Sequence, residues 1–153
     1  MDEETISYLH GADVKITTKI KPQRRRHPKQ DSVRFMKRIL QEGCDEALEL
    51  LGVAVSYVSN IEIIFPEHDG TFVWPSVFVT LSVLQTNGKQ GELDPIVMKF
   101  ESFSSKKGET LSRISTESVA QRVVTAVRQR LHEHSLQLQV TQLKMDKAAE
   151  PKP

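Results

Sequence analysis

The stretches VAVSYVSNIEIIF (53–65) and VWPSVFVTLSVL (73–84) each alternate along their length, and their reading decides the architecture. Side chains of a strand point to opposite faces in turn. Val53, Val55, Tyr57, Ser59, Ile61, Ile63 and Phe65 therefore make one face of a first strand. Val73, Pro75, Val77, Val79, Leu81 and Val83 make one face of a second. The intervening Pro66, Glu67, His68, Asp69 and Gly70 are turn formers, so the spacing predicts a hairpin with a wide loop.

Working outward, Asp31 or Ser32 is a suitable N-cap for a helix running to about Leu51. Val33, Met36, Leu40, Cys44, Ala47, Leu48 and Leu51 recur at helical steps and form its buried stripe, widened by Phe35 and Ile39. Gly43 costs that helix about 1 kcal/mol relative to Ala, and Gly52 is placed to end it. Downstream, Ile96, Met98 and Phe100 alternate with Val97, Lys99 and Glu101 as a third strand, after a turn cluster at Asn87 to Glu92. A second helix is expected from Ser115 or Thr116, with Ala120, Val123, Val124, Val127 and Leu131 inward and Arg122, Arg128 and Arg130 off that stripe. Leu136, Leu138 and Val140 alternate with glutamine and threonine, which predicts a closing strand. Near the start, Val14, Ile16, Thr18 and Ile20 alternate with Lys15, Thr17, Lys19 and Lys21 as a short strand with one basic face.

The expected fold is α+β: a two-layer sandwich with two helices on one face of a mostly antiparallel four- to five-stranded sheet. Residues 1–30 read as an extended basic arm, frayed through residue 12, residues 31–143 as the domain, and residues 144–153 as a disordered or docked tail. With 153 residues, 38% of them hydrophobic and 27% charged, the chain can bury a core without disulfides. The lone Cys44 forbids an internal disulfide. An acidic Met1–Glu4 start without an apolar run predicts no signal peptide, and no run is long enough to span a bilayer. The expectation is a soluble protein of the cytoplasm or of a virion.

Two surfaces carry the functional expectation. If the helices cover the odd face of the hairpin, the other face offers Val58, Ile64, Trp74, Phe78 and Leu84, joined by Val97 and Phe103. That is too apolar for open water, and such patches mark association sites. Burying some 400 Å² at roughly 25 cal/mol per Å² is worth about 10 kcal/mol before the costs of association. Self-association through this face is expected, with cover by residues 1–30 of the same chain as the alternative. The second surface is the arm, with Lys15, Lys19, Lys21, Arg24, Arg25, Arg26 and Lys29 and no acid among residues 15–29. It suits a neighbouring protein's acidic surface, or the phosphates of a nucleic acid as the alternative. A net charge of +1 argues against a dedicated nucleic-acid binder.

Other groups read as ordinary structure. His132 and His134 lie two apart with no third ligand at matching spacing, so no metal site is assigned. Glu67, His68 and Asp69 have normal turn composition, Cys44 lies on a buried stripe, and Lys106-Lys107-Gly108 lacks the glycine spacing of a phosphate loop. No cofactor, small-molecule substrate or enzymatic activity is expected.

The order helix, wide-looped hairpin, strand, helix, strand over residues 32–143 resembles phage tail-terminator and tail-completion proteins. So does the segment from Phe72 to Val79, in which Pro75 enters a long strand. The resemblance implies a non-enzymatic ring subunit of a tail assembly, and the basic arm falls outside it. Helix, three strands, helix is also the order of double-stranded-RNA-binding domains, but the second helix here opens Ser115-Thr116-Glu117 rather than with a lysine cluster.

Overall fold

The computed structural model describes residues 4–9, 14–21, 30–66, 72–73, 75–100, 102–103 and 114–149. Its elements are β1 (Glu4–Leu9), β2 (Lys15–Ile20), α1 (Gln30–Leu50), a 3-10 turn (Gly52–Tyr57), β3 (Val58–Phe65), β4 (Phe72–Val73), β5 (Ser76–Leu84), β6 (Gln90–Glu92), β7 (Ile96–Lys99), β8 (Ser102–Phe103) and α2 (Thr116–Ala149). The expected α+β two-layer sandwich is what forms: both helices pack on one face of a mostly antiparallel sheet.

The sheet order is β1-β2-β3-β5, with β6 and β7 both beyond β5. β6 pairs with Ser82–Leu84 and β7 with Ser76–Val79, so six strands fill five positions. Pro95, which has no N–H to give, lies at the break between them. β3 and β5 form the antiparallel pair, with Ile61 opposite Val79 and Ile63 opposite Val77. β2 runs parallel to β3, Ile16 opposite Ile61, and α1 supplies the crossover that parallel neighbours require. β4 and β8 make a separate two-residue ribbon.

Residues 15–20 form the short strand expected there, but it lies within the sheet rather than in a free arm, and Val14 and Ile16 are core residues. The frayed start is corrected as well. Thr5, Ile6 and Tyr8 are strand formers, and β1 pairs antiparallel with β2 from Glu4–Ile20 to Leu9–Lys15. The described part of residues 1–30 belongs to the domain.

The core follows the period-two pattern. Ile61, Ile63, Phe65, Val77, Val79, Leu81 and Val83 are buried against Met36, Leu40, Cys44, Leu48, Val119, Val123 and Val127. Full burial is worth about 1.5–3 kcal/mol for each large side chain. Among the polar contacts between the layers, Gln41 Nε2 donates to the buried Thr18 Oγ1 at 2.9 Å. Phe35, expected to widen the α1 stripe, is exposed instead.

Two departures have local causes. Gly52 takes φ 60° after α1, and the chain continues as a 3-10 turn rather than a strand, so Val53 is 92% exposed. The expected closing strand does not form, because α2 continues through Leu136, Leu138 and Val140 to Ala149. No glycine or proline interrupts residues 116–149, and leucine and glutamine are good helix formers. The 34 residues of α2 extend about 51 Å at the α-helical rise. Leu136, Val140 and Leu143 are exposed on this extension.

Ser115 starts α2. Its Oγ accepts from Ser118 N at 3.1 Å, while its own N–H donates to Ser118 Oγ at 3.0 Å, a reciprocal cap. The two helices run parallel. Thr116 meets Glu42 through a 3.4 Å hydroxyl–carboxylate bond, and Arg128 Nη2 donates to Leu50 O at 3.2 Å. They approach closely at Gly43, where an added Cβ would stand 2.5 Å from Val119 Cγ1.

Candidate interaction surface

With both helices on the face that carries Ile61 and Val79, the even positions of β3 and β5 form the opposite face. Strand register sets its rows. Thr17, Glu62, Phe78 and Val97 lie across one line from β2 to β7. Lys19, Ile64, Ser76 and Lys99 lie across the next, and Lys15, Asn60 and Thr80 across a third. No described helix covers this face. Phe78 and Ile64 are half-buried within it, and Val97 is 53% exposed.

The charged groups on the same face are mostly basic. Lys15, Lys21 and Lys99 are exposed, and Lys19 Nζ stands 3.4 Å from Glu62 Oε1. That pair is partly solvated, so it adds at most about 1 kcal/mol. The structure therefore joins what the sequence separated: lysines of the expected arm and apolar residues of the expected association face are one surface. Ile64 on β3 and Phe78 on β5 occupy its middle, with the β2 lysines on one side and Val97 and Lys99 of β7 on the other.

Three expected members of the apolar face stand differently. Val58 is 5% exposed and belongs to the core, opposite Leu81. The register shifts between Val58 and Asn60, and a one-residue slip moves a side chain to the other face. Leu84 is exposed at the far end of β5. Trp74 lies outside the described residues, as do Arg24, Arg25, Arg26 and Lys29 of the arm, the loop residues Glu67, His68 and Asp69, and Lys106 and Lys107.

The α2 arginines, expected off the buried stripe, tie the helix to its neighbours. Arg122 Nη1 donates to Lys99 O at 2.7 Å and stacks over Phe100 with Cζ 4.5 Å from the ring centre. Arg130 Nη2 donates to Asp94 O at 3.1 Å. His132 is exposed whereas His134 is buried with Nε2 2.6 Å from Leu84 O, so the two imidazoles do not share a site. Among the described residues no group of three or more His, Cys, Asp or Glu is placed to hold a metal ion. Cys44 is buried, and desolvation, aided by the Asp45 charge, pushes its thiol up to about 12. A thiol held in that state is not a nucleophile at neutral pH.

Sequence reading missed the role of Lys99 and the merging of the two surfaces. The signal for the first was available, since Lys99 sits at the alternate position to Met98. The second needed the parallel β2–β3 pairing, which no local pattern encodes.

These features define a class: a two-layer α+β sandwich with one basic and partly apolar sheet face that no described helix covers. Comparisons with protein-family models, with curated proteins and with solved structures find no match to this chain. No described helix is long and apolar enough to cross a membrane.

Proposed function

We propose that the chain is a non-catalytic assembly subunit that associates through its open sheet face. The observation that carries this reading is the apolar group Ile64, Phe78 and Val97, in two adjacent rows of a sheet face that no described helix covers, with lysines beside them. A half-solvated antiparallel sheet normally turns polar residues outward, so phenylalanine and isoleucine there are better explained by a partner than by water. The lysines give that partner an orientation, and Arg24, Arg25, Arg26 and Lys29 follow in sequence from the Lys21 end of the same strand. The tail-assembly resemblance is of the same kind, a subunit whose work is contact.

The test is mass by light scattering over a wide concentration range, for the parent and for Phe78→Ser. The parent is expected to self-associate, and Phe78→Ser to stay a single copy with unchanged circular dichroism. A parent that remains a single copy at every concentration overturns the reading.

A second reading rests on the same lysines. Phe78 among Lys15, Lys19 and Lys99 also suits a single nucleic-acid strand, with a base on the ring and phosphates on the ammonium groups. It requires binding to a labelled single strand that weakens steeply with salt and is lost in Lys15→Ala with Lys99→Ala. Salt-independent or absent binding removes it.

A further inference from the structure

Resting on that association reading, we infer which surface of a second copy the sheet face takes: the carboxylate-bearing C-terminal end of α1 with the turn that follows it. Copies then join head to tail.

The charge on the sheet face disfavours the simplest alternative. On the described part of that face Lys15, Lys19, Lys21 and Lys99 stand with two carboxylates, Glu62 and Glu92, the latter opposite Ser82. A twofold pairing of two such faces centred on Phe78 sets lysines of one copy against lysines of the other, β2 against β2 or β2 against Lys99, within the roughly 8 Å over which charges act at physiological salt. Like charges brought together this way cost affinity and suppress the pairing. The occupant must carry acid around an apolar centre.

One described surface of the chain does so. Glu42, Asp45, Glu46 and Glu49 fall within the second half of α1, and no lysine or arginine occurs from Ile39 to Gly88. Glu42, Glu46 and Glu49 recur at helical spacing on the side away from the buried Leu40, Cys44 and Leu48. Glu42 is tied to Arg38 at 3.0 Å, which leaves the acid concentrated toward the helix end. There the left-handed Gly52 throws the chain outward and leaves Leu50, Val53 and Tyr57 exposed, with Val53 the most exposed large apolar residue described. Arg128 caps the Leu50 carbonyl at the border of this patch. An acid-rimmed apolar patch thus matches a base-rimmed apolar patch on the same molecule.

Their placement gives the contact its geometry. α1 packs on the other face of the sheet, so the two patches lie on opposite layers of the sandwich. A contact between unlike surfaces leaves one of each unused on every pair, and it repeats until rotation closes a ring or the chain of copies stays open. The exposed stripe Leu136, Val140 and Leu143 on α2 is a weaker choice of occupant, because glutamines and threonine surround it and offer the lysines no charge.

Two charge reversals test this in the full chain: Lys15→Glu with Lys99→Glu on the sheet, and Glu46→Lys with Glu49→Lys on α1. All four positions are solvent-facing at least in part, and circular dichroism checks the fold of each variant. Sedimentation velocity is expected to give a single-copy mass for each variant alone and more than twice that mass for their equimolar mixture, in which every sheet face again meets the opposite charge. If the α1 variant assembles like the parent while the sheet variant does not, the head-to-tail contact is overturned and the sheet-face reading survives. If neither reversal changes assembly, both are overturned. Two single-copy variants that form nothing on mixing overturn the head-to-tail contact.

Discussion

Replacing Gly43 with alanine sets two well-known effects against each other, and the structure decides the sign. In an isolated helix the change is favourable by about 1 kcal/mol, because glycine pays more backbone entropy than alanine. Here the new Cβ would stand 2.5 Å from Val119 Cγ1, 2.6 Å from Val119 Cβ and 3.2 Å from Thr116 O. Normal carbon–carbon contact is about 3.5–4.0 Å. Val119 is fully buried, its χ1 is stiff, and its Cβ moves only with the α2 backbone, so relief requires the helices to part by about an ångström. Overpacking of this kind costs roughly 1–3 kcal/mol, more when backbone must shift. We expect a net destabilisation of about 1–2 kcal/mol, seen as a midpoint lower by roughly 3–8 °C or an equivalent loss in urea. Val119→Ala in the same chain removes the Cγ1 overlap but keeps the Cβ overlap. The double variant should therefore show a favourable coupling of at least about 0.5 kcal/mol without full recovery. A Gly43→Ala variant as stable as the parent, or more so, would refute the close approach of α1 and α2.

Two further outcomes follow from burial and exposure. Because the folded Cys44 thiol, pushed up from 9.0 to about 12, holds its proton more tightly than the unfolded one, its contribution to stability is whole below about pH 9. It is then lost as pH rises toward 12, by up to about 1.4 kcal/mol per pH unit. Urea midpoints for the parent minus those for Cys44→Ala should slope downward between pH 9 and 10.5, and a flat difference contradicts the burial. Val140→Pro should unwind the exposed end of α2, lowering helical circular dichroism while changing global stability by less than about 0.5 kcal/mol. A global loss near 3 kcal/mol would mean that this segment is packed into the domain.

Where the sequence could be read, a single period dominated a whole element. The odd positions from Ile61 to Phe65 and from Val77 to Val83 lie against the helices because a strand buried on one face has no other choice. Gly52 and Ser115 mark helix boundaries for equally local reasons. Failures came where two periods competed or where pairing was non-local. Leu136, Leu138 and Val140 satisfy a period of two, yet nothing between Thr116 and Ala149 breaks a helix, and helix propagation won. Val53 to Tyr57 alternates as a strand would, but the left-handed turn at Gly52 led into a tighter helix. Val58 was lost from the far face by a bulge that leaves no residue signature. The interaction surface was half legible. Its apolar row was visible in Ile64 and Phe78 and its charge in Lys15 and Lys19, but their adjacency depends on β2 entering the sheet parallel to β3.

The adjacent residues Ile63 and Ile64 test the association surface within one side-chain type. Ile63 is fully buried beneath the helices, and Ile64 lies on the open face in register with Lys19 and Ser76. In isotope-labelled protein, the methyl resonance of Ile64 should move with dilution, together with those of Val97, while that of Ile63 stays fixed. Dilution shifts confined to other methyl groups, or none at all over the whole concentration range, would contradict the account.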